Sequence, residues 1–438
     1  MGTPESDIDL GQPPMRRRER WRTIAACNIG VCLEGFDFIA YSAFSIIFAR
    51  IYFPADSALA STLLTFGGFA TAYLVRPLGG LFWGVFADRR GRRAALAWTA
   101  ILMALGTAMI ALAPPYAAIG LAAPALILLA RLIQGFAVSG EFASATAMLV
   151  EVAPPGRRAF YASTQMATQV ITAGLAAATV LALFTFLPEE AVESWGWRLV
   201  FGLGTLIGPL GLWMRARMAE SPEFERLSAQ RHTSRSPLRE VLSRYPLELA
   251  GMGGLIVISA AALYLILIFL PLFAVRELGL TQSEAQISTI IATSVEAVVI
   301  LSVGRLADRV GVMPLLALGS LAYAVAAYPL FAYLVAEPSF GRLVFVQLSA
   351  AVLLGCISGP LPLALSSLLP PEVRTTGVGM VYNVVGTIFG GLGPLFITAA
   401  IAATGDLTAP AWWAAATGAV GAVAALALWR SGRCRPRS

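Results

Sequence analysis

The stretch GGLFWGVFADRRGRR occupies residues 79–93 and indicates how the whole chain is organised. It closes a long apolar run, places Asp88 at the edge of that run, and continues with four arginines. A second stretch, GRLADRVG at 304–311, repeats the pattern around Asp308, about half the chain length further on. The two copies predict a tandem repeat, in which one helical unit is built twice.

The composition is typical of a membrane protein. Of 438 residues, 58% are hydrophobic and 13% charged, and the mean hydropathy is +0.75, whereas soluble domains carry about 25% charged residues. Apolar runs of about 20 residues recur, and each can cross a bilayer as a helix. We predict an all-α polytopic membrane protein with twelve transmembrane helices in two six-helix repeats. The predicted spans are 22–49, 60–86, 94–113, 117–150, 159–186, 196–216, 247–275, 284–306, 313–335, 341–369, 375–403 and 409–430.

The charged residues predict the orientation of these spans. All 31 basic residues are arginines, and they cluster in alternate loops. The positive-inside rule places such loops, and with them both termini, in the cytoplasm. The net charge of +6 therefore reflects topology and not a nucleic-acid partner. The clusters lie at 16–22, 89–93, 157–158, 215–244 and 430–437.

A long polar segment between the sixth and seventh spans divides the chain nearly in half. It is charged and contains Pro and Ser, which is typical of a linker. Tandem repeats of this kind place the substrate site between them, near the bilayer midplane. The predicted organisation is a disordered cytoplasmic N-terminus at 1–21, a bundle at 22–216, a cytoplasmic linker at 217–246, a second bundle at 247–430 and a tail at 431–438.

Several motifs resemble one transporter family. GGLFWGVFADRRGRR looks like the signature loop of the major facilitator superfamily, and GRLADRVG like its weaker second copy. RLIQGFAVSGEFASATAMLVEVAPPGRR, WGWRLVF, ESPEF and PPEVRTTGVGMVYNVVGTIFGGLGP resemble the metabolite:proton symporter family within it. IYFPADSALASTLLTFGGF, AIGLAAPALILLARLIQGF and GDLTAPAWW are most similar to the citrate and tricarballylate carriers. The resemblance implies the major facilitator fold and import of a small organic acid with protons by rocker-switch alternating access.

The sequence departs from the family pattern in three places. Val31 and Gly35 stand where the family has Asn and an aromatic residue. The second signature loop lacks the trailing Gly-Arg-Arg, and Glu296 occupies a span that tends to be uncharged in related carriers. These departures bear on the exact substrate and not on the class of protein.

Six charged residues are predicted to lie deep within spans. An unpaired charge is costly there, so each is a functional candidate. The only histidine, His232, falls in the linker, which leaves a carboxylate as the membrane-embedded proton carrier. The six are Glu34, Asp37, Arg76, Arg131, Glu141 and Glu296.

The resemblance implies that Asp37 and Arg131 couple the proton to transport. In related sugar carriers of the superfamily, a first-span acid faces an arginine that opens a fourth-span motif. Asp37 would take the proton and Arg131 would release it on switching, because a neighbouring cation favours the ionised carboxylate. The alternative is a static salt bridge. Glu34 shares a helical face with Asp37 and Tyr41, and could belong to this site or to a structural network.

Polar residues on facing spans predict a substrate pocket. Arg76 lies twelve residues before Asp88, so about 18 Å of helix places it near the midplane, where its planar fork suits a carboxylate. Its alternative role is an ion pair with Glu141 or Glu34. Each of the other polar residues could instead make a helix-packing hydrogen bond. The predicted substrate-binding set is Arg76, Arg131, Tyr41, Gln165, Gln169, Tyr264, Tyr382 and Asn383.

Glu296 and Glu141 are candidate second acids. An ionised Glu296 in the cavity would repel a polyanion and favour a cation or zwitterion, whereas a protonated Glu296 could carry a second proton.

The two signature loops are predicted gates and not substrate sites. In the superfamily the first loop latches the outward-open state, and Asp88 and Arg92 match its pattern. The predicted gating residues are Asp88, Arg89, Arg92, Asp308 and Arg309.

The leading hypothesis is a monomeric symporter of the bacterial inner membrane that imports citrate or a related di- or tricarboxylate with protons. Sodium coupling stays open, and we expect no cofactor and no metal, since the four cysteines lack metal-ligand spacing. The alternatives are import of a zwitterionic osmolyte such as betaine or proline, and a non-transporting sensor. An enzyme is disfavoured because nucleophile and phosphate-loop motifs are absent from the sequence.

Overall fold

The computed structural model describes residues 17–53, 71–229 and 236–432, and this part of the chain is almost entirely helical. Eleven of its helices are long and apolar enough to cross a membrane. The described part of the predicted second span starts at residue 71, and its main helix is Arg76–Arg90. Predictions that concern 1–16, the first residues of the second span, His232 and the end of the tail lie outside the described residues.

The first half begins earlier than the sequence predicts. Its first helix starts at Arg17, so residues 17–21 are helical where disorder was expected. The fourth span is two helices that meet at a turn beside Gly140. The α-helices of this half are Arg17–Ala43, Ser45–Tyr52, Arg76–Arg90, Arg92–Leu112, Tyr116–Ile119, Ala122–Val138, Glu141–Glu151, Arg158–Phe186, Glu189–Ala191 and Trp197–Ala216. A π-helical turn at Val192–Gly196 leads into the last of them.

The second half contains two spans that are interrupted by π-helical turns, at Leu265–Phe269 in the seventh span and Gly386–Gly391 in the eleventh. Such turns are frequent at functional sites. The α-helices of this half are Pro246–Tyr264, Leu270–Arg276, Gln282–Val310, Val312–Ala336, Phe340–Ser358, Leu361–Ser367, Arg374–Val385, Gly393–Thr404 and Ala409–Arg430.

The first half has apolar clusters of its own, whereas the core of the second half continues into Phe142, Met166 and Val170 of the first half. The faces turned outward are also apolar. In the first half the rings of Phe48 and Trp197 pack edge to face at 4.9 Å. Large side chains such as Leu112 and Phe186 are exposed on the outer surface. Exposed apolar residues around an apolar core are expected when the surrounding solvent is lipid.

The two signature loops join the halves through the same kind of interaction, a helix cap made by an aspartate. The carboxylate of Asp88 accepts hydrogen bonds from the backbone N–H groups of Thr375 (3.3 Å) and Thr376 (2.8 Å), at the start of the eleventh-span helix. The carboxylate of Asp308 accepts from Ala159 N (2.7 Å) and Phe160 N (3.0 Å), at the start of the fifth-span helix. Each aspartate thus caps a helix of the other half, where the helix dipole favours an anion. We call the end of the bundle that carries both aspartates the gate face.

Glycine follows each capping aspartate at the same distance. Gly91 has φ 102° and Gly311 has φ 91°, a region that favours glycine. Both residues end one span and begin the next, so the repeat extends to the backbone conformation of its turns.

The linker is partly helical, with helices at Pro222–Ala229 and Pro237–Arg244. Glu220, just before them, accepts hydrogen bonds from the backbone N–H groups of Arg92 (3.1 Å) and Arg93 (3.2 Å). Burial raises the pKa of Glu220, although these amide donors oppose the rise. The linker is therefore attached to the start of the third span.

Candidate functional site

A small cavity lies between the two halves. Its volume is about 20 Å³, which is room for about one water and not for an organic acid. The lining comes from the second, fifth, seventh and eleventh spans, so both halves contribute. The described lining residues are Arg76, Met166, Gln169, Ser259, Ala260, Leu263, Tyr264, Tyr382 and Gly386.

Tyrosine contacts close the cavity on the side away from the gate face. The hydroxyl of Tyr73 donates to that of Tyr264 across the halves at 2.6 Å. Thr387 Oγ1, in the π-helical turn of the eleventh span, donates to the backbone oxygen of Tyr73 at 3.0 Å. These bonds tie the second span to the seventh and eleventh.

Other contacts close it toward the gate face. The rings of Phe142 and Tyr382 stack with centroids 3.8 Å apart. Asn383 Nδ2 donates to the backbone oxygens of Ser139 and Gly379, each at 2.7 Å. The chain is therefore in an occluded state, with the halves in contact on both sides of the cavity.

Asp37 is held by a hydrogen-bonded cluster within the first half. Arg131 Nη1 lies 3.0 Å from one of its carboxylate oxygens. The other oxygen accepts from Gln134 Nε2 (2.7 Å) and Thr107 Oγ1 (3.0 Å). All four side chains are at most 1% exposed. The structure thus brings together the predicted coupling pair and adds two uncharged residues that the sequence reasoning missed.

Arg131 and Arg76 both contact one aromatic ring. Their guanidinium carbons are 4.6 Å and 4.7 Å from the centroid of Phe38. Arg76 also lies 4.5 Å from the ring of Tyr73, and such cation–π contacts stabilise a buried cation. Asp37 therefore connects to the cavity through Arg131, Phe38 and Arg76.

Tyr41 lies beneath Arg131 and is not part of the cavity lining. Its ring centroid is 4.2 Å from the guanidinium carbon. Within the described residues its hydroxyl has no hydrogen-bond partner, and the same is true of Arg131 Nε and Nη2. Arg131 thus keeps donors that Asp37 does not use. The side chain of Glu34 lies outside the described residues.

Glu141 pairs with Arg215 of the sixth span, not with Arg76 as the sequence allowed. Thr99 Oγ1 donates to the other Glu141 oxygen at 3.0 Å. Arg215 Nε also donates to the backbone oxygen of Ala26 at 3.1 Å. Arg215 is 0% exposed. Placing it with the cytoplasmic loop arginines was therefore wrong, because its side chain points inward and ties together four spans.

Two other predicted pocket residues serve helix packing. Gln165 Oε1 accepts from Thr146 Oγ1 at 2.8 Å, and its Nε2 donates to the backbone oxygen of Phe142 at 3.2 Å. Asn383 bonds the backbone of the fourth and eleventh spans as described above. Gln169, one turn beyond Gln165, does line the cavity.

Glu296 lies outside the described cavity lining. It is 1% exposed, and in the described part of the chain neither of its carboxyl oxygens has a hydrogen-bond partner. Its position does not present a negative charge to the cavity.

The gate face carries a charge network larger than the sequence predicted. Arg92 Nη2 donates to the backbone oxygen of Pro371 at 2.8 Å and lies 3.4 Å from Glu151. Arg374, of the second half, lies 3.0 Å from the same Glu151 oxygen. The sequence analysis missed Glu151 and Arg374, although both lie within family motifs, at 131–158 and 370–394. The predicted gating residues Arg89 and Arg309 are exposed.

Comparisons with known proteins agree on one family. The sequence model described as Major Facilitator Superfamily matches residues 28–394. The chain is 34% identical to a citrate-proton symporter of Klebsiella pneumoniae, over 92% of this chain and 90% of that protein. It is 31% identical to a putative proline/betaine transporter of Staphylococcus aureus, over 91% of this chain and 86% of that protein. Its fold resembles the proton:xylose symporter XylE bound to 6-bromo-6-deoxy-D-glucose, with TM-score 0.80, 17% identity and coverage of 95% of this chain and 96% of that chain.

Proposed function

The chain belongs to the Major Facilitator Superfamily, and we propose that it is a symporter that imports a small organic acid, citrate or a related di- or tricarboxylate, together with protons. The family match and the likeness to the solved structure confirm the predicted family and twelve-helix fold. The observation that carries the proposal is the cavity between the halves, whose single charged described lining residue is Arg76, connected through Phe38 to Arg131 and Asp37.

The charge of the cavity supports an anionic substrate. A guanidinium beside Gln169, Tyr264 and Tyr382 offers a planar fork and neutral hydrogen-bonding groups, which suit a carboxylate. An ionised Glu296 in the cavity would have supported the zwitterion alternative, but Glu296 is not among the described lining residues. The organic acid is therefore the better-supported substrate class.

The Asp37 cluster supports proton coupling. While Asp37 is ionised, its charge is balanced by Arg131 and by donors from Gln134 and Thr107. Protonation removes that charge and leaves Arg131 as an uncompensated buried cation, which a substrate carboxylate near Arg76 can balance. Proton and anion then stabilise each other's binding, as symport requires.

The gate face supports alternating access. Opening toward this face must break the caps that Asp88 and Asp308 form with helices of the opposite half. Opening on the other side must break the Tyr73–Tyr264 contact. We place the gate face and both termini in the cytoplasm of a bacterial inner membrane, with a monomer as the transporting unit, no cofactor and the proton as coupling ion. Uptake under an imposed sodium gradient in place of the proton gradient tests whether the proton is the coupling ion.

Uptake of radiolabelled citrate into proteoliposomes under an inward proton gradient tests the proposal. We expect accumulation that an uncoupler abolishes. Asp37→Asn should accumulate much less citrate but keep citrate exchange, because the uncharged residue can still be accommodated while the proton site at Asp37 is gone. Asp406→Asn, at an exposed loop carboxylate, is the matched control. If the wild-type protein accumulates proline or betaine but not citrate, the substrate class is wrong.

A further inference from the structure

Glu296 lies at the centre of the eighth-span helix Gln282–Val310, so about 21 Å of helix separates it from either end. Its side chain is buried, and both carboxyl oxygens lack hydrogen-bond partners within the described residues. The transport scheme above assigns it no role.

Packing against the fifth span shows what faces this level of the helix. Gly174 lies against Thr293, and Ser163 lies against Gly304, so the two spans run antiparallel. Glu296 falls between these contacts, at the level of Val170, which is 1% exposed. The fifth span therefore presents small and apolar groups here.

The rest of the second half offers no cation at this depth. The tenth span approaches the Glu296 backbone through Gly355. Arg305, on the same helix, is about 13 Å further along and lies over the ring of Phe160 at 4.3 Å. The remaining spans contribute only tyrosines and Cys356 as titratable groups. The segments without Asp, Glu, Lys or Arg are 159–186, 249–275, 312–336, 343–371, 375–404 and 409–429.

The cations of the first half are engaged elsewhere. Arg131 pairs with Asp37, Arg215 pairs with Glu141, and Arg76 lies between the rings of Phe38 and Tyr73. A carboxylate without a counter-ion or donors is strongly disfavoured in an apolar interior, so the group is neutral.

We propose that Glu296 is a second proton-binding site, which makes the carrier move one proton more per substrate than Asp37 alone provides. This rests on the proposed symport function. In the occluded state an O–H bond on the Glu296 carboxyl holds a proton taken from external water. When the halves part and water reaches the fifth and eighth spans, that bond breaks and the proton passes to water on the cytoplasmic side.

The equilibrium accumulation of citrate tests this stoichiometry. Proteoliposomes are held at zero membrane potential with a pH difference of one unit, and the final ratio of internal to external citrate is measured. Because each coupled proton contributes one factor of ten per pH unit, Glu296→Gln should lower the ratio about tenfold. Glu190→Gln, at an exposed carboxylate of the short helix Glu189–Ala191, should leave it unchanged. An unchanged ratio in Glu296→Gln would overturn the proposal.

Infrared spectroscopy tests the proposal even if the Glu296→Gln variant does not transport citrate. The wild-type protein in detergent should show a protonated-carboxyl carbonyl band that changes when citrate is added and is missing in Glu296→Gln. Absence of such a band would also overturn the proposal. If wild-type protein moves no citrate, the proposed substrate fails, and a pH titration of the same band still decides whether Glu296 binds a proton.

Discussion

The two halves repeat one architecture but treat charge in opposite ways. Away from the gate face, the described part of the first half buries two ion pairs, Asp37–Arg131 and Glu141–Arg215, each completed by hydrogen bonds from neighbouring spans. At the gate face, Arg92 adds buried pairs with Asp88 and Glu151. The second half buries one carboxyl, Glu296, and gives it no partner among the described residues. A repeated fold therefore does not repeat its electrostatics.

This difference indicates that the two halves contribute to coupling in different ways. Neither Asp37–Arg131 nor Glu141–Arg215 crosses between the halves, so rocking of one half against the other does not pull either of these pairs apart directly. The pair that does cross, Glu151–Arg374, lies at the gate face. Coupling must instead pass through the contacts of Arg131 and Arg76 with Phe38, and on to the Tyr73–Tyr264 bond between the halves. The second half supplies Tyr264, Tyr382 and π-helical turns, which can shift without separating charges.

The largest expected effect comes from breaking a pair in the first half. Arg215→Met leaves Glu141 as an uncompensated buried charge, which should cost about 3–5 kcal/mol of stability. Adding Glu141→Gln should recover most of that loss, because no charge then remains. Thermal unfolding in detergent measures both variants.

Glu296→Gln is the counterpart in the second half. Since it breaks no pair, its effect on stability should stay below about 1 kcal/mol. If Glu296→Gln destabilises the protein as much as Arg215→Met does, the contrast between the halves is wrong.

The sequence predicted which residues form the site better than it predicted which side chains they contact. The distance from Asp88 placed Arg76 near the midplane, and the structure finds it lining the cavity. The resemblance to the family implied the Asp37–Arg131 pair. Both inferences depend on position along a helix or on a motif, which the sequence contains directly.

The contacts that the sequence did not predict depend on where long side chains point. Arg215 stands at the end of a span beside loop arginines, and only the packing of four spans shows that its side chain turns inward to Glu141. Gln165 and Gln169 share one helical face, but the cavity is narrower than that face and only Gln169 lines it. Gln165 instead accepts a hydrogen bond from Thr146. Helical periodicity cannot predict how wide a cavity will be.

The two capping aspartates of the gate face provide a matched pair of variants, and their expected effects on the closed state are of intermediate size. Asp88 is 2% exposed and also accepts from Thr376 Oγ1 at 2.7 Å, whereas Asp308 is only partly buried. Asp88→Asn should weaken the closed gate by about 1.5–3 kcal/mol, the usual contribution of a hydrogen bond to a charged group. Asp308→Asn should weaken it by about 0.3–1 kcal/mol, as for an exposed charge at a helix end.

Electron–electron distance measurements between spin labels on the two halves at the gate face report the open fraction. A larger open fraction in Asp308→Asn than in Asp88→Asn would reverse the expected order, and would mean that the second copy of the signature loop dominates the latch.

A small effect is also expected at the closure on the opposite side, where the halves meet without charge. Tyr73→Phe removes the neutral hydrogen bond between the Tyr73 and Tyr264 hydroxyls, which should weaken this closure by about 0.5–1.5 kcal/mol. The ring and its contact with Arg76 remain, so the stability of the first half should hardly change. Spin labels at the end of the bundle away from the gate face should show a modestly larger open fraction. Because the bond is uncharged, this shift should be insensitive to salt. A salt-dependent shift in Tyr73→Phe would show that charge also closes this side, and the two closures would then not differ in kind.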